Sequence, residues 1–366
     1  MGHGILGALL TATLLTSAVS SDALELAGFG GLAAEGHTGA GAVVAVVDTG
    51  IDAAHPALAG RITAGWDFID GDNDPDDGNG HGTHVAGIVA ATADSPTPGG
   101  APAATIMPVR VLDATGAGSN ETVAQGILWA ADHGADVINL SIGDSGPADR
   151  FRKGGPVALA IRAVSTQAVV VVAAGNDAQY EQLFRAGVDA LVVVATDSAG
   201  APAPFSNTGD SRAVAAPGLD IRSTAPTSPT TLFPQGTDGY ATLSGTSMAA
   251  PFVSAEAALL VAAGLTPAQT RTTVTQTAVN ATGDPRLGAG IIDARAAVTS
   301  VTEASGELPS ESPAASPAAA GEVVTDPADI APGHLWLLII GVGVLLVVVI
   351  SATVVLTRRH DRRKTP

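Results

Sequence analysis

The stretch AVVAVVDTG at residues 42–50 is apolar without alternation and then breaks into Asp48, Thr49 and Gly50. A strand with one wet face alternates apolar and polar side chains, so this run is expected to be buried on both faces. Four more runs share its form, each closing on a polar or glycine residue: TIMPVRVLD at 105–113, ADVINLSIG at 135–143, AVVVVAAGN at 168–176 and LVVVATDS at 191–198. Helix-length segments separate several of them, such as NETVAQGILWAADHG at 120–134 and GPVALAIRAVSTQ at 155–167. Strands that alternate with helices pair in parallel, which gives an α/β fold: a mostly parallel central sheet with helices on both faces. Chemistry in such sheets gathers beyond the carboxyl ends of the strands, where Asp48, Ser141, Gly143 and Asn176 fall.

Composition excludes several classes. The chain has 366 residues, 46% of them hydrophobic, enough for a large core. It has no cysteine, which removes disulfides, thiolate metal sites and thiol nucleophiles. A net charge of −18 repels phosphates and argues against nucleic acid as a partner.

Three motifs carry the chemistry. Asp48 closes the first strand, His81 begins HGTHVAG at 81–87, and Ser247 lies in GTSMAAP at 245–251. A serine nucleophile needs a base to take its proton, and the base needs a carboxylate to fix its tautomer and stabilise the imidazolium. Singly, each residue has a plainer use: Asp48 as a turn residue, Ser247 as a helix cap, and His81 with His84 as half of a zinc site. The zinc use lacks a third ligand, since no HExxH or HxxEH pattern is present.

Taken together, DTG, HGTHVAG and GTSMAAP in the order Asp, His, Ser resemble the subtilisin-like serine proteases (peptidase S8 family), from about Leu24 to Val298. The resemblance implies a subtilisin-like three-layer fold and serine endopeptidase activity that needs no cofactor. It makes Asp48 the residue that orients the histidine, His81 the general base and then acid, Ser247 the nucleophile, and His84 structural. Asn176, in VVAAGN, matches the side-chain donor of the oxyanion hole. Ser141, Ile142 and Gly143 match one substrate-pairing edge and Gly116 and Gly118 the opposite one, with Ala174 and Gly175 beside them. A protein or peptide substrate held between two such edges is bound as an added strand. Glu256 falls where the family's serine helix has a small residue. A lone buried carboxylate is costly, so Glu256 is expected to be paired or at the surface.

The run GWDFIDGDNDPDDGNGHGTH at 65–84 admits two readings. An EF-hand is excluded, because counting from Asp70 the sixth position is Pro75 and the twelfth His81. Asp67, Asp70, Asp72, Asp74 and Asp76 could still converge on a structural calcium ion, as in a branch of the subtilisin-like family that binds calcium before its catalytic histidine. Otherwise the run is a solvated turn held by Asx hydrogen bonds.

The remaining segments concern location. Residues 1–21 read as a signal peptide with cleavage after Ser20, 22–300 as the peptidase domain, and 301–333 as an acidic stalk rich in Pro, Ala and Ser. Residues 334–357 contain an apolar run long enough to span a bilayer. The tail, 358–366, holds Arg358, Arg359, Arg362, Arg363 and Lys364, a cluster that stays on the cytoplasmic side. A single-pass cell-membrane protein with an extracytoplasmic catalytic domain is the expectation. This layout resembles the mycosins, anchored subtilisin-like proteases of type VII secretion systems, which implies a secretion complex as partner and, as the alternative function, a structural subunit of that assembly.

Overall fold

Residues 22–142, 154–180 and 189–306 are described in the computed structural model. The expected signal peptide, membrane helix and basic tail lie outside the described residues, as does the stalk from residue 307. Among the described residues no helix is long and apolar enough to cross a membrane.

The unalternating run at 42–50 forms β1 (Val43–Asp48), with residues 44–48 buried. It lies inside a seven-stranded sheet of order β2-β3-β1-β4-β5-β6-β7, and every neighbouring pair is parallel. The partners are β2 (Trp66–Asp67), β3 (Thr105–Arg110), β4 (Val137–Leu140), β5 (Val169–Ala173), β6 (Ala190–Thr196) and β7 (Val214–Pro217). Pro108 is tolerated inside β3 because its missing N–H would point to the outer side. That side is unpaired there, between the bridge of Ile62 to Ile106 and the short β2 pairing at Val109.

Alternate residues of one strand feed two cores. Val44 and Val46 join a cluster with Val85, Val89, Met248 and Val253. Ala45 and Val47 join another with Val123, Ile127, Val157 and Ile161. The first core is closed by α1 (His81–Ala90) and α4 (Thr246–Ala262), the second by α2 (Asn120–Asp132) and α3 (Pro156–Val164). This is the three-layer arrangement that the strand pattern implied. Two further helices, α5 (Pro267–Thr277) and α6 (Ala294–Gly306), follow, and α6 continues past residue 300. Beside the sheet, β8 (Ile221–Thr224) and β9 (Tyr240–Leu243) form an antiparallel hairpin that leads into α4.

Helix α4 is buried on all sides, from Thr246 to Leu260. Its small residues allow the sheet, α1 and the later helices to approach it together. Glu256 is caught in this packing. Contrary to the expectation of a partner or a surface position, it is fully buried and neither carboxyl oxygen has a hydrogen-bond partner among the described residues. Burial, reinforced by the charge of Asp293, pushes its pKa well above the carboxylate range, so the side chain is a neutral acid.

Candidate active site

Strand β1 delivers Asp48 at its carboxyl end, fully buried. Helix α1 begins at His81 against that end. Gly82 makes this approach possible, since a Cβ there would lie 2.1 Å from the Gly50 carbonyl oxygen. The His81 Nδ1 lies 2.8 Å from Asp48 Oδ1, which also accepts the Thr49 N–H at 2.7 Å. Because a carboxylate only accepts, Nδ1 carries the proton and Nε2 of the neutral ring is left as the base. Burial opposes the imidazolium, but the charge and hydrogen bond of Asp48, with the charge of Asp77, outweigh it and raise the His81 pKa above its ordinary value.

Ser247 lies in the first turn of α4, where backbone N–H groups have no partner within the helix. Pro251, inside the same helix, has no N–H to offer the Ser247 carbonyl four residues earlier. That carbonyl accepts the Ser141 hydroxyl at 2.8 Å instead. Ser141 in turn accepts from Asn139 Nδ2 at 2.9 Å, and Asn139 Oδ1 accepts from the Ser254 hydroxyl at 2.8 Å. This buried chain fastens the end of β4 to the helix that carries Ser247. Asn139, Ser254 and Pro251 went unremarked in the sequence because each looks ordinary without its distant partner. No hydrogen bond joins the Ser247 hydroxyl to His81 among the described residues, and such contacts commonly tighten only when substrate binds.

Asn176 follows β5 and is exposed. Its Oδ1 accepts the Thr246 N–H at 2.8 Å and the Thr246 hydroxyl at 3.0 Å. An N–H can only donate, so the amide orientation is fixed and Nδ2 is the end left to donate. Gly175 before it has φ +98°, and a Cβ would lie 2.5 Å from Asn207 Nδ2. Its N–H donates to Thr246 Oγ1 at 3.0 Å, which ties the strand end to the start of α4. Ala174 is buried in the sheet beside it.

The two substrate edges differ in their surroundings. Ser141 and Ile142 are both buried, and Gly143 lies outside the described residues. On the other side Asp113 Oδ1 accepts from Thr115 N–H and Ala117 N–H, forming the tight turn that holds Gly116 with φ +82°. Gly118 packs onto the end of β3, where a Cβ would lie 2.3 Å from the Val111 carbonyl oxygen. Asn79 links this turn to the base, donating from Nδ2 to the Ala114 carbonyl and accepting the His81 N–H.

His84 is structural, as the family pattern implies. It is fully buried, and its Nε2 lies 3.1 Å from the Ile221 carbonyl and 3.2 Å from that of Ala241, so α1 holds the hairpin. Burial and the neighbouring His81 push its pKa down to about 3.

The aspartates of the acidic run do not converge on one point. Among the described residues no three carboxylate or histidine side chains are placed to hold a metal ion. Asp67 is fully buried and meets Arg110, whose Nη1 also reaches Asp70 at 2.6 Å. Asp67 Oδ1 caps Ile69 and Asp70, and Asp72 Oδ1 caps Asp74, which are Asx turns. Asp76 is exposed, and partial desolvation of its carboxyl by the surrounding loop raises its pKa. The guanidinium of Arg110 supplies positive charge to Asp67 and Asp70, two of the five candidate calcium ligands.

A model of peptidase S8, the subtilase family, matches residues 39–306. Thermitase of Thermoactinomyces vulgaris is 43% identical over 248 residues, which covers 67% of this chain and 84% of thermitase. Subtilisin Savinase of Lederbergia lenta is 38% identical over 267 residues, covering 72% of this chain and 92% of that protein. Among solved structures, a cold-adapted subtilisin-like serine proteinase matches with a TM-score of 0.59 at 31% identity, covering 70% of this chain and 89% of that one. Fervidolysin from Fervidobacterium pennivorans, a keratinolytic enzyme related to subtilisin, matches with 0.64 at 31% identity, covering 76% and 45%. A family match over most of the chain, joined to the Asp48 and His81 pair and a helix-borne Ser247, identifies the chain as a serine endopeptidase belonging to the subtilase family.

Proposed function

We propose that the chain is an extracytoplasmic serine endopeptidase anchored in the cell membrane by residues 334–357. The observation that carries the location is the apolar run at 335–356, followed at once by five basic residues in the tail.

The chemistry follows from the groups in place. Ser247 Oγ attacks the scissile carbonyl carbon while His81 Nε2 takes its proton, and Asp48 holds the imidazolium through Nδ1. The oxyanion accepts hydrogen bonds from Asn176 Nδ2 and the Ser247 N–H, with the amino end of α4 adding its positive dipole. The carbon–nitrogen bond breaks as His81 returns the proton to the leaving amine. Water then attacks the acyl carbon while His81 Nε2 takes its proton; the bond from that carbon to Ser247 Oγ breaks, His81 returns the proton to Oγ, and the acid product leaves. Every step uses this chain's own side chains and water.

Location is tested on the full chain in cells. The account expects it to sediment with membranes, resist carbonate and dissolve in detergent, with the catalytic domain digested by protease added outside spheroplasts and the tail protected. Recovery in the soluble fraction would overturn it.

The layout shared with the mycosins supports a second reading, in which the domain is a structural subunit of a secretion assembly. Complementing a deletion with Ser247→Ala decides between them, because a scaffold keeps its role without the nucleophile.

A further inference from the structure

We infer that Asp77, which belongs to none of the recognised motifs, is the positioning residue that sets the geometry between Asp48 and His81. It is 4% exposed and accepts five hydrogen bonds. Its Oδ1 takes the Thr49 hydroxyl at 2.8 Å, the Gly80 N–H at 2.7 Å and the Asn79 N–H at 3.1 Å. Its Oδ2 takes the Thr83 N–H at 2.9 Å and the Thr83 hydroxyl at 2.6 Å.

These partners fall on both sides of the catalytic pair. Asn79, Gly80 and Thr83 bracket His81 at the start of α1, so Asp77 gathers the otherwise unpartnered N–H groups of that helix end. Thr49 follows Asp48 directly. The Thr49 hydroxyl also accepts the Gly82 N–H at 3.0 Å, and the Thr49 N–H binds the same Asp48 oxygen that receives His81 Nδ1. Strand end and helix start are thus joined through one carboxylate and one hydroxyl. Moving either would change the approach of His81 to Asp48.

Asp77 also acts through its charge. The charged or titratable groups around His81 are Asp48 on β1, Asp77 before α1 and His84 on α1 itself. Both carboxylates favour the imidazolium, so Asp77 adds to the stabilisation that Asp48 supplies by contact. An amide at this position keeps the shape, loses the charge and replaces one acceptor with a donor that faces Thr49 or Thr83.

The test uses rates normalised to active sites titrated with a fluorophosphonate, so that misfolded molecules do not count. The inference rests on Ser247 as nucleophile, which wild-type turnover and labelling test separately. For Asp77→Asn, kcat per labelled site is expected to fall roughly tenfold or more, with KM within about twofold of wild type. The acid limb of the pH profile should move to lower pH, because a negative charge near His81 is gone. Thr49→Val keeps that charge but cuts the link. It should lower kcat per site without moving the acid limb, and Thr49→Ser should restore the rate. If Asp77→Asn loses only the fraction of labelled protein, with kcat per site and acid limb unchanged, the positioning role is wrong. Should Asp77→Asn not fold at all, Thr49→Val decides, and an unchanged kcat per site in that variant would equally overturn the inference.

Discussion

The Asp48 carboxylate and the His81 ring meet at 2.8 Å, yet only one of the two carboxylate oxygens is engaged, because Oδ2 of Asp48 has no hydrogen-bond partner among the described residues. The hold of Asp48 on the His81 ring therefore passes through Oδ1, shared with the Thr49 N–H. An amide at position 48 can offer its oxygen to only one tautomer, and its nitrogen in place of Oδ1 would reverse the proton on the ring.

For Asp48→Asn, kcat is accordingly expected to fall by about 10⁴, as it does for the equivalent change in a known Ser-His-Asp triad. The pH profile should change as well. His81 must be neutral to act, and its pKa stands above the ordinary value, so wild-type activity is lost as pH falls through that raised value. Removing the Asp48 charge should shift the remaining acid limb downward. A profile that keeps its wild-type limb would contradict this electrostatic account.

Asn176→Ala removes an exposed side chain whose amide orientation, fixed by Thr246, leaves Nδ2 as the donor proposed for the oxyanion. Loss of such a donor in subtilisin costs about 10² to 10³ in kcat, and the same range is expected here with little change in KM. The Asn176 Oδ1 also caps the N–H and hydroxyl of buried Thr246, so a modest fall in melting temperature, of the size of a lost helix cap at about 1 kcal/mol, is expected alongside. A large fall in melting temperature with normal kcat would reassign Asn176 to structure.

Arg110 pairs with a fully buried Asp67 and with an Asp70 whose side chain is 63% exposed. Arg110→Met leaves Asp67 buried without its cation, which should cost about 3–5 kcal/mol. Asp70→Ala removes a screened surface partner and should cost about 1 kcal/mol or less. Chemical denaturation of both variants checks the ordering. If a chelator destabilised the wild type strongly while Arg110→Met did not, a cation and not the guanidinium would hold this loop.

Glu256 makes stability depend on pH in an unusual direction for a carboxyl group. Its folded pKa is raised, chiefly by burial, while the unfolded chain ionises near the ordinary value of about 4.3. The folded state therefore holds a proton that the unfolded state releases. Its contribution is fully present below about pH 4 and declines as pH rises toward the folded pKa, by up to about 1.4 kcal/mol per pH unit. Glu256→Gln removes the titration. Its melting temperature relative to wild type should climb as pH rises above the unfolded value of about 4.3; parallel curves would show that Glu256 is ionised in the fold.

Much of this was legible in the sequence, for local reasons. The unalternating run at 42–50 could only be a doubly buried strand, and it is β1. Asp48, His81, Ser247 and Asn176 each look ordinary alone, and it is the joint resemblance of DTG, HGTHVAG, GTSMAAP and VVAAGN to the subtilisin-like proteases that picks them out together. What could not be read depends on distant partners. Arg110 and Asp67 are 43 positions apart, and nothing in the aspartate run says that an arginine waits there. Asp77 sits among similar aspartates, and its five hydrogen bonds exist only once β1 and α1 come together. Glu256 defeated a rule that usually holds, because α4 is buried all round and a burial pattern with no polar face cannot point a side chain outward.

The central claim is that Ser247 is the nucleophile and His81 its base. Treat the wild-type chain, Ser247→Ala and His81→Ala with a fluorophosphonate, then locate the adduct by peptide mass spectrometry. The account predicts one adduct at Ser247 in the wild type, none in Ser247→Ala, and much slower labelling in His81→Ala. Labelling of wild type and Ser247→Ala to the same extent would contradict it.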